Sequence, residues 1–239
     1  MNYQIPEKFR ILSGSSLKMI AIVAMLIDHS AAILLFDGVI LHNAPITVGS
    51  DMYRLYLFYR VLRGIGRIAF PIFCFLLVEG FLHTSNKSRY AFRLFLFALI
   101  SEVPFDLALH QRWFDTGYQN VFFTLLIGFL VIWLFDMAKG RLYFQLPTVI
   151  LGCLLAAFLH TDYDYRGVLL IVILYLFRYY RLMQTLAGAI SLYWEWPAIF
   201  AFIPINLYNG RRGWNMKYFF YAFYPVHLFL LYFIYGIIF

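Results

Sequence analysis

Residues 16–36 read SLKMIAIVAMLIDHSAAILLF. Apart from Lys18 near its start and Asp28 and His29 deep within it, this stretch is apolar or small. At about 1.5 Å per residue it reaches about 30 Å, the thickness of a hydrocarbon core. Lipid offers no water to a bare backbone, so a spanning segment pairs its own amides, either as a helix or in a closed barrel. A run this long and this uniformly apolar is a helix, because barrel strands alternate and are about ten residues long. The whole chain has the same character. Of its 239 residues 63% are hydrophobic and 13% charged, where an ordinary soluble domain has about 25% charged. A soluble fold of this size could not hide that much apolar surface.

Further apolar spans fall near 54–83, 89–110, 119–136, 146–160, 165–180, 182–195, 197–208 and 217–238. They predict an all-α polytopic transmembrane helical bundle of about nine membrane helices, with residues 1–239 as a single domain. The two short spans within 182–208 can equally form one broken or re-entrant hairpin. Residues 1–10 are polar, and the first apolar run lacks a small-residue cleavage pattern, so it reads as a retained helix and not a signal peptide.

With nine crossings the cations sort by side. Lys8, Arg10, Lys18, Lys87, Arg89, Arg93, Lys139, Arg141, Arg178, Arg181, Arg211, Arg212 and Lys217 share the N-terminal side, whereas Arg112 and Arg166 fall opposite. The positive-inside rule then puts the N-terminus in the cytoplasm and the protein in the cytoplasmic membrane. The formal charge of +7 describes a basic inner face against anionic lipid or a phosphate-bearing cofactor, not a nucleic-acid groove. Cys74 and Cys153 lie in apolar runs on different segments and read as small packing residues, with no metal-ligand spacing.

Ionisable residues inside apolar spans are costly, so they mark candidate functional positions. Lys18 and His29 stand eleven positions apart, which brings them to nearly the same helix face with about 16 Å of rise. That separation matches an extended pantetheine arm, with a cation for coenzyme A phosphates at one end and a buried base at the other. Asp28 adjoins His29 on a neighbouring face. Glu102 comes as deep as His29 when counted from the N-terminal side, His227 slightly shallower, and Asp106 extends the Glu102 face outward. A carboxylate beside His29 would fix its tautomer for general-base work, and Asp28 and Glu102 are the candidates. Arg60, Arg63 and Arg67 share a face at the start of the second span. Either they border a polar cavity or they snorkel from an interfacial helix, the cavity being favoured for Arg67. Glu79 lies near the inner end, placed to meet a cation there.

Six separated segments carry a family resemblance. Leu17–Ala21 with Met25–His29, Gly66–Phe73 leading into Leu77–Phe81, Ala98–Asp106, Asn120–Leu125, Leu207–Gly213 and Phe223–Leu228 together resemble the TraX family over nearly the whole chain. The resemblance implies an integral membrane acetyltransferase related to the acyl-coenzyme A-dependent membrane acyltransferases. Acetyl-CoA would be the acyl donor, and the acceptor an amine or hydroxyl, on the N-terminus of a conjugative pilin or on a cell-surface glycan. Those enzymes often carry a basic residue, ten intervening residues and a histidine in their first helix. Lys18 and His29 fit that pattern with lysine in place of arginine, which keeps the charge and removes bidentate phosphate binding.

On this reading His29 is the catalytic base, assisted by Asp28 or Glu102. The donor would be held by Lys18, Arg67, Arg93, Arg211, Arg212 and Lys217, with Arg63, Glu79, Asp106 and His227 also in the cavity. His29, Arg67, Glu102 and His227 are expected to converge on one pocket. A secondary transporter would also need buried charge and interrupted helices, here at Pro71, Pro104 and Pro225, but no duplicated half is visible. A non-enzymatic assembly factor for pili or envelope polymers would have no need of His29.

Overall fold

The computed structural model describes residues 6–43 and 45–239 and is all-helical among them apart from two isolated bridges. Helix α1 runs Gly14–Ser30 and continues without a break as wider π-helical turns over Ala31–Ile40. There follow α2 (Asp51–Gly66), α3 (Ala69–His83), α4 (Lys87–His110), α5 (Val121–Met137), α6 (Leu142–Phe158), α7 (Asp164–Leu176) and α8 (Arg181–Ser191). A 3₁₀ segment (Tyr193–Ala201), the short α9 (Phe202–Asn206) and α10 (Lys217–Ile238) complete the chain. Among the described residues three stretches, 14–40, 51–83 and 218–238, are long and apolar enough to cross a membrane, and the 17-residue α5 and α6 are apolar but shorter.

Helix starts are written in the sequence as side-chain caps. Ser13, Ser50, Asn86 and Asn120 each accept a backbone N–H of the first turn, from Ser16, Tyr53, Arg89 and Phe122 respectively, which satisfies donors that the helix cannot satisfy itself. Helix α4 ends where Gln111 turns left-handed, at φ 56°.

The span read as 54–83 is broken. Helix α2 stops at Gly66, Arg67 and Ile68 form a turn, and α3 begins with Pro71 in its first turn, where a missing N–H costs nothing. Between 181 and 206 the chain forms α8, the 3₁₀ segment and α9, with Glu195 in a non-helical conformation. Eleven residues of α8 rise only about 16 Å. Neither short span makes a full crossing alone, and the broken alternative describes them.

Helices α5, α6 and α7 pack on one another, α4 lies between α5 and α10, and α1 is held by α2, α3 and α10. Phe75, Phe105, Phe129, Ile132 and Leu174 are fully buried in the centre. Leu146, Ile150, Leu151, Leu154 and Phe158 of α6 are instead exposed, an apolar face that suits lipid.

Candidate functional site

The first turn of α1 is closed by the loop between α9 and α10. Leu12 and Tyr208 form a parallel bridge, and the N–H groups of Gly14 and Ser15 donate to the carbonyls of Arg211 and Arg212 at 2.8 and 3.0 Å. The Trp214 N–H donates to Ser15 Oγ at 3.0 Å. Gly213 makes this approach possible. Its φ is 74°, and a Cβ there would run into the Ser13 and Ser15 hydroxyls.

That closure brings Arg212 beside Lys18, at one end of a cavity of about 860 Å³. Lys18, Arg93, Arg212, Glu79, His83 and Tyr208 line this end. Lys18 Nζ sits 5.2 Å from the centre of the Phe220 ring, and Arg93 lies over Tyr90. Glu79 lies beside Tyr208. Arg211 differs from the expectation: unlike Arg212 it is not among the residues that line the cavity, and its carbonyl accepts the Gly14 N–H at the start of α1. The side chain of Lys217, also expected here, lies outside the described set.

The cavity continues along α1 to Asp28 and His29 and on to Arg63, Arg67, Tyr118, Asp162, Tyr163 and Glu195. Lys18 and His29 therefore border the same space. His29 Nδ1 lies 2.7 Å from His227 Nε2, the rings nearly parallel at 10°. His227 Nδ1 is 2.8 Å from the Phe223 carbonyl of its own helix. Asp28 turns away to Arg63, Oδ2 to Nη1 at 2.6 Å. Gly66 lets α1 and α2 meet there, since the Asp28 carboxylate occupies the space a Cβ would need.

Glu102 does not reach His29. It is buried against α5 and accepts from the Asn120 side chain and, at 3.3 Å, from the Asn120 N–H. Depth brought it level with His29, but the rotation of α4 points it elsewhere. Asp106 is buried on the same helix, accepts the Asp115 N–H at 2.8 Å and lies 3.6 Å from His110, so it secures the turn after α4. Neither residue is among those lining the cavity. Arg67 does line it, but at the His29 end, joined to Glu195 at 2.8 Å and apart from Lys18, Arg93 and Arg212.

Four residues of this end escaped the reading of the sequence: Tyr118, Asp162, Tyr163 and Glu195. The loops before α5 and α7 are joined by the Gln119–Thr161 bridge, and the Tyr118 hydroxyl donates to Asp162 Oδ1 at 2.9 Å. Desolvation pushes the Asp162 carboxyl up, opposed by the Tyr118 hydrogen bond and the Arg67 charge. Glu195 stands in an aromatic run, Tyr193-Trp194-Glu195-Trp196, so the argument applied to Glu102, a carboxylate inside an apolar stretch, would have found it.

The description "TraX protein" applies to residues 13–235, which match that family. The chain belongs to the TraX family. It is also 31% identical over 252 aligned positions to a protein of Dichelobacter nodosus described as "Probable fimbrial assembly protein FimC, serogroup H1", covering 92% of this chain and 94% of that relative. No solved structure matches. In this TraX chain five of the six segments that carried the resemblance contribute to the walls of one space, and Ala98–Asp106 does not. Leu17–His29 and Gly66–Phe81 form two walls, Leu207–Gly213 caps α1, and Phe223–Leu228 brings His227 behind His29.

Proposed function

We propose that this protein is an integral membrane acetyltransferase that takes acetyl-CoA from the cytosol and acetylates an amine or hydroxyl acceptor. The observation that carries the reading is the single cavity joining Lys18, Arg93 and Arg212 to His29. Cations spaced around one mouth suit the phosphates of coenzyme A, which they would hold largely as point charges, with Arg93 and Arg212 also able to make forked hydrogen bonds. The sorting of cations in the sequence supports a cytoplasmic N-terminus, which would turn this mouth to the cytosol. His29 lies about 16 Å further along α1, the reach of the pantetheine arm, where a neutral imidazole would remove the acceptor proton. The fimbrial assembly relative favours a pilin-like acceptor, and a surface glycan is the other candidate.

Labelled acetyl-CoA given to membranes with and without the protein, followed by mass spectrometry of whatever acquires label, tests the reading. A labelled peptide or glycan that depends on the protein supports it. Unlabelled material, with full assembly of surface fibres by a His29→Ala variant, would leave a non-enzymatic assembly factor. Solute uptake by proteoliposomes without label transfer would leave a transporter.

A further inference from the structure

We propose that His227 is a positioning residue that fixes the tautomer of His29, keeping the Nε2 lone pair of His29 turned to the cavity. The inference rests on the acetyltransferase reading for its chemical purpose, whereas the tautomer follows from hydrogen-bond directions alone.

A carbonyl can only accept, so the 2.8 Å contact of His227 Nδ1 with the Phe223 oxygen places a proton on that nitrogen. In a neutral imidazole the second nitrogen then carries the lone pair, so His227 Nε2 is an acceptor. His29 Nδ1, 2.7 Å away, must supply the proton between them. The remaining nitrogen, His29 Nε2, is thereby left unprotonated. His29 lines the cavity, and His227, 4% exposed, is not among the lining residues. His227 therefore stands behind the base, outside the wall of the cavity. Phe223 stacks on its other side, ring centres 4.8 Å apart at 14°, and holds the imidazole in register. Asp28 and Glu102, the two carboxylates that could have served, are engaged by Arg63 and Asn120.

The same chain of contacts handles a proton without a carboxylate. When the acceptor attacks the acetyl carbonyl, its proton passes to His29 Nε2 and the Nδ1 proton can shift to His227 Nε2. The positive charge then spreads over both rings while His29 keeps an Nε2–H. As the carbon–sulfur bond breaks, that proton goes to the departing thiolate, the shared proton returns to His29 Nδ1, and the pair is neutral again.

The test uses the purified full chain in lipid nanodiscs with ring-¹⁵N histidine, the His29 signals being those lost in His29→Gln. The parent is expected to show a protonated Nδ1 and a bare Nε2 at His29. Turnover and KM for acetyl-CoA are then measured per folded molecule for His227→Leu and His227→Gln. Leucine removes the acceptor, so His29 loses its fixed tautomer and kcat falls about 10²-fold with KM unchanged. Glutamine carries a carboxamide oxygen at the same reach as Nε2 and restores kcat to within about fivefold of the parent. A bare Nδ1 at His29 in the parent, or parental turnover in folded His227→Leu, overturns the proposal. A parent that transfers no acetyl group counts against the acetyltransferase reading instead, and the labelled spectrum still decides the tautomer.

Discussion

Arg67 Nε and Glu195 Oε1 meet at 2.8 Å, joining the turn between α2 and α3 to the 3₁₀ segment after α8. The side chains are 27% and 13% exposed, so the pair is neither fully desolvated nor a surface contact. Taking one member from a buried pair costs more than the pair itself is worth, because a charge is left alone in low dielectric. Glu195→Ala should destabilise the protein by about 2–3 kcal/mol, below the buried-pair figure because water partly screens Arg67. The double variant Arg67→Met, Glu195→Leu should recover at least half of that. Thermal unfolding in detergent measures both, and a double variant no better than the single one would refute the pairing.

At Gly66 the cost is steric. The Asp28 carboxylate fills the space where a side chain would begin, so Gly66→Ala must push α1 and α2 apart and stretch the Asp28–Arg63 contact. A loss of about 1–3 kcal/mol is expected, the usual cost of overpacking, together with reduced labelled transfer. Gly236→Ala is the control, since nothing lies within 4 Å of a Cβ there. Equal unfolding temperatures for the two would contradict the close helix approach.

The cation mouth separates two adjacent arginines. Arg212 lines the cavity and Arg211 does not. Arg212→Glu should raise KM for acetyl-CoA about tenfold or more at low salt and progressively less as salt is added, while Arg211→Glu should change it by less than about threefold. Lys18→Glu and Arg93→Glu are expected to behave like Arg212→Glu. A titration of acyl-CoA binding against salt distinguishes them, and identical responses from both arginines would dissolve the assigned mouth.

His29→Ala should abolish acetyl transfer and leave a folded, membrane-inserted protein that still binds coenzyme A. A general base contributes about 10²–10⁴-fold to rate, and the loss should appear in turnover per folded molecule. A merely structural histidine would instead lower stability and cofactor binding together. Turnover within a few-fold of the parent would remove His29 from the chemistry.

Length and apolar composition determined the class, because a backbone in lipid has few ways to pair its amides and residues 16–36 are long enough to need one of them. Helical periodicity likewise put Lys18 and His29 on one stripe, since both belong to one element and no other part of the chain enters the argument. Caps such as Ser13 and Asn120 were local in the same sense. Which group faces His29 was decided only by tertiary structure. Counting inward from a helix end fixes depth but not rotation, and α4 turns Glu102 to Asn120 while α10 turns His227 to His29. The close approach of α1 and α2 at Gly66 and the separate fates of Arg211 and Arg212 arise the same way. Each depends on what a distant segment places against the residue: Asp28 against Gly66, and the first turn of α1 against the loop before α10.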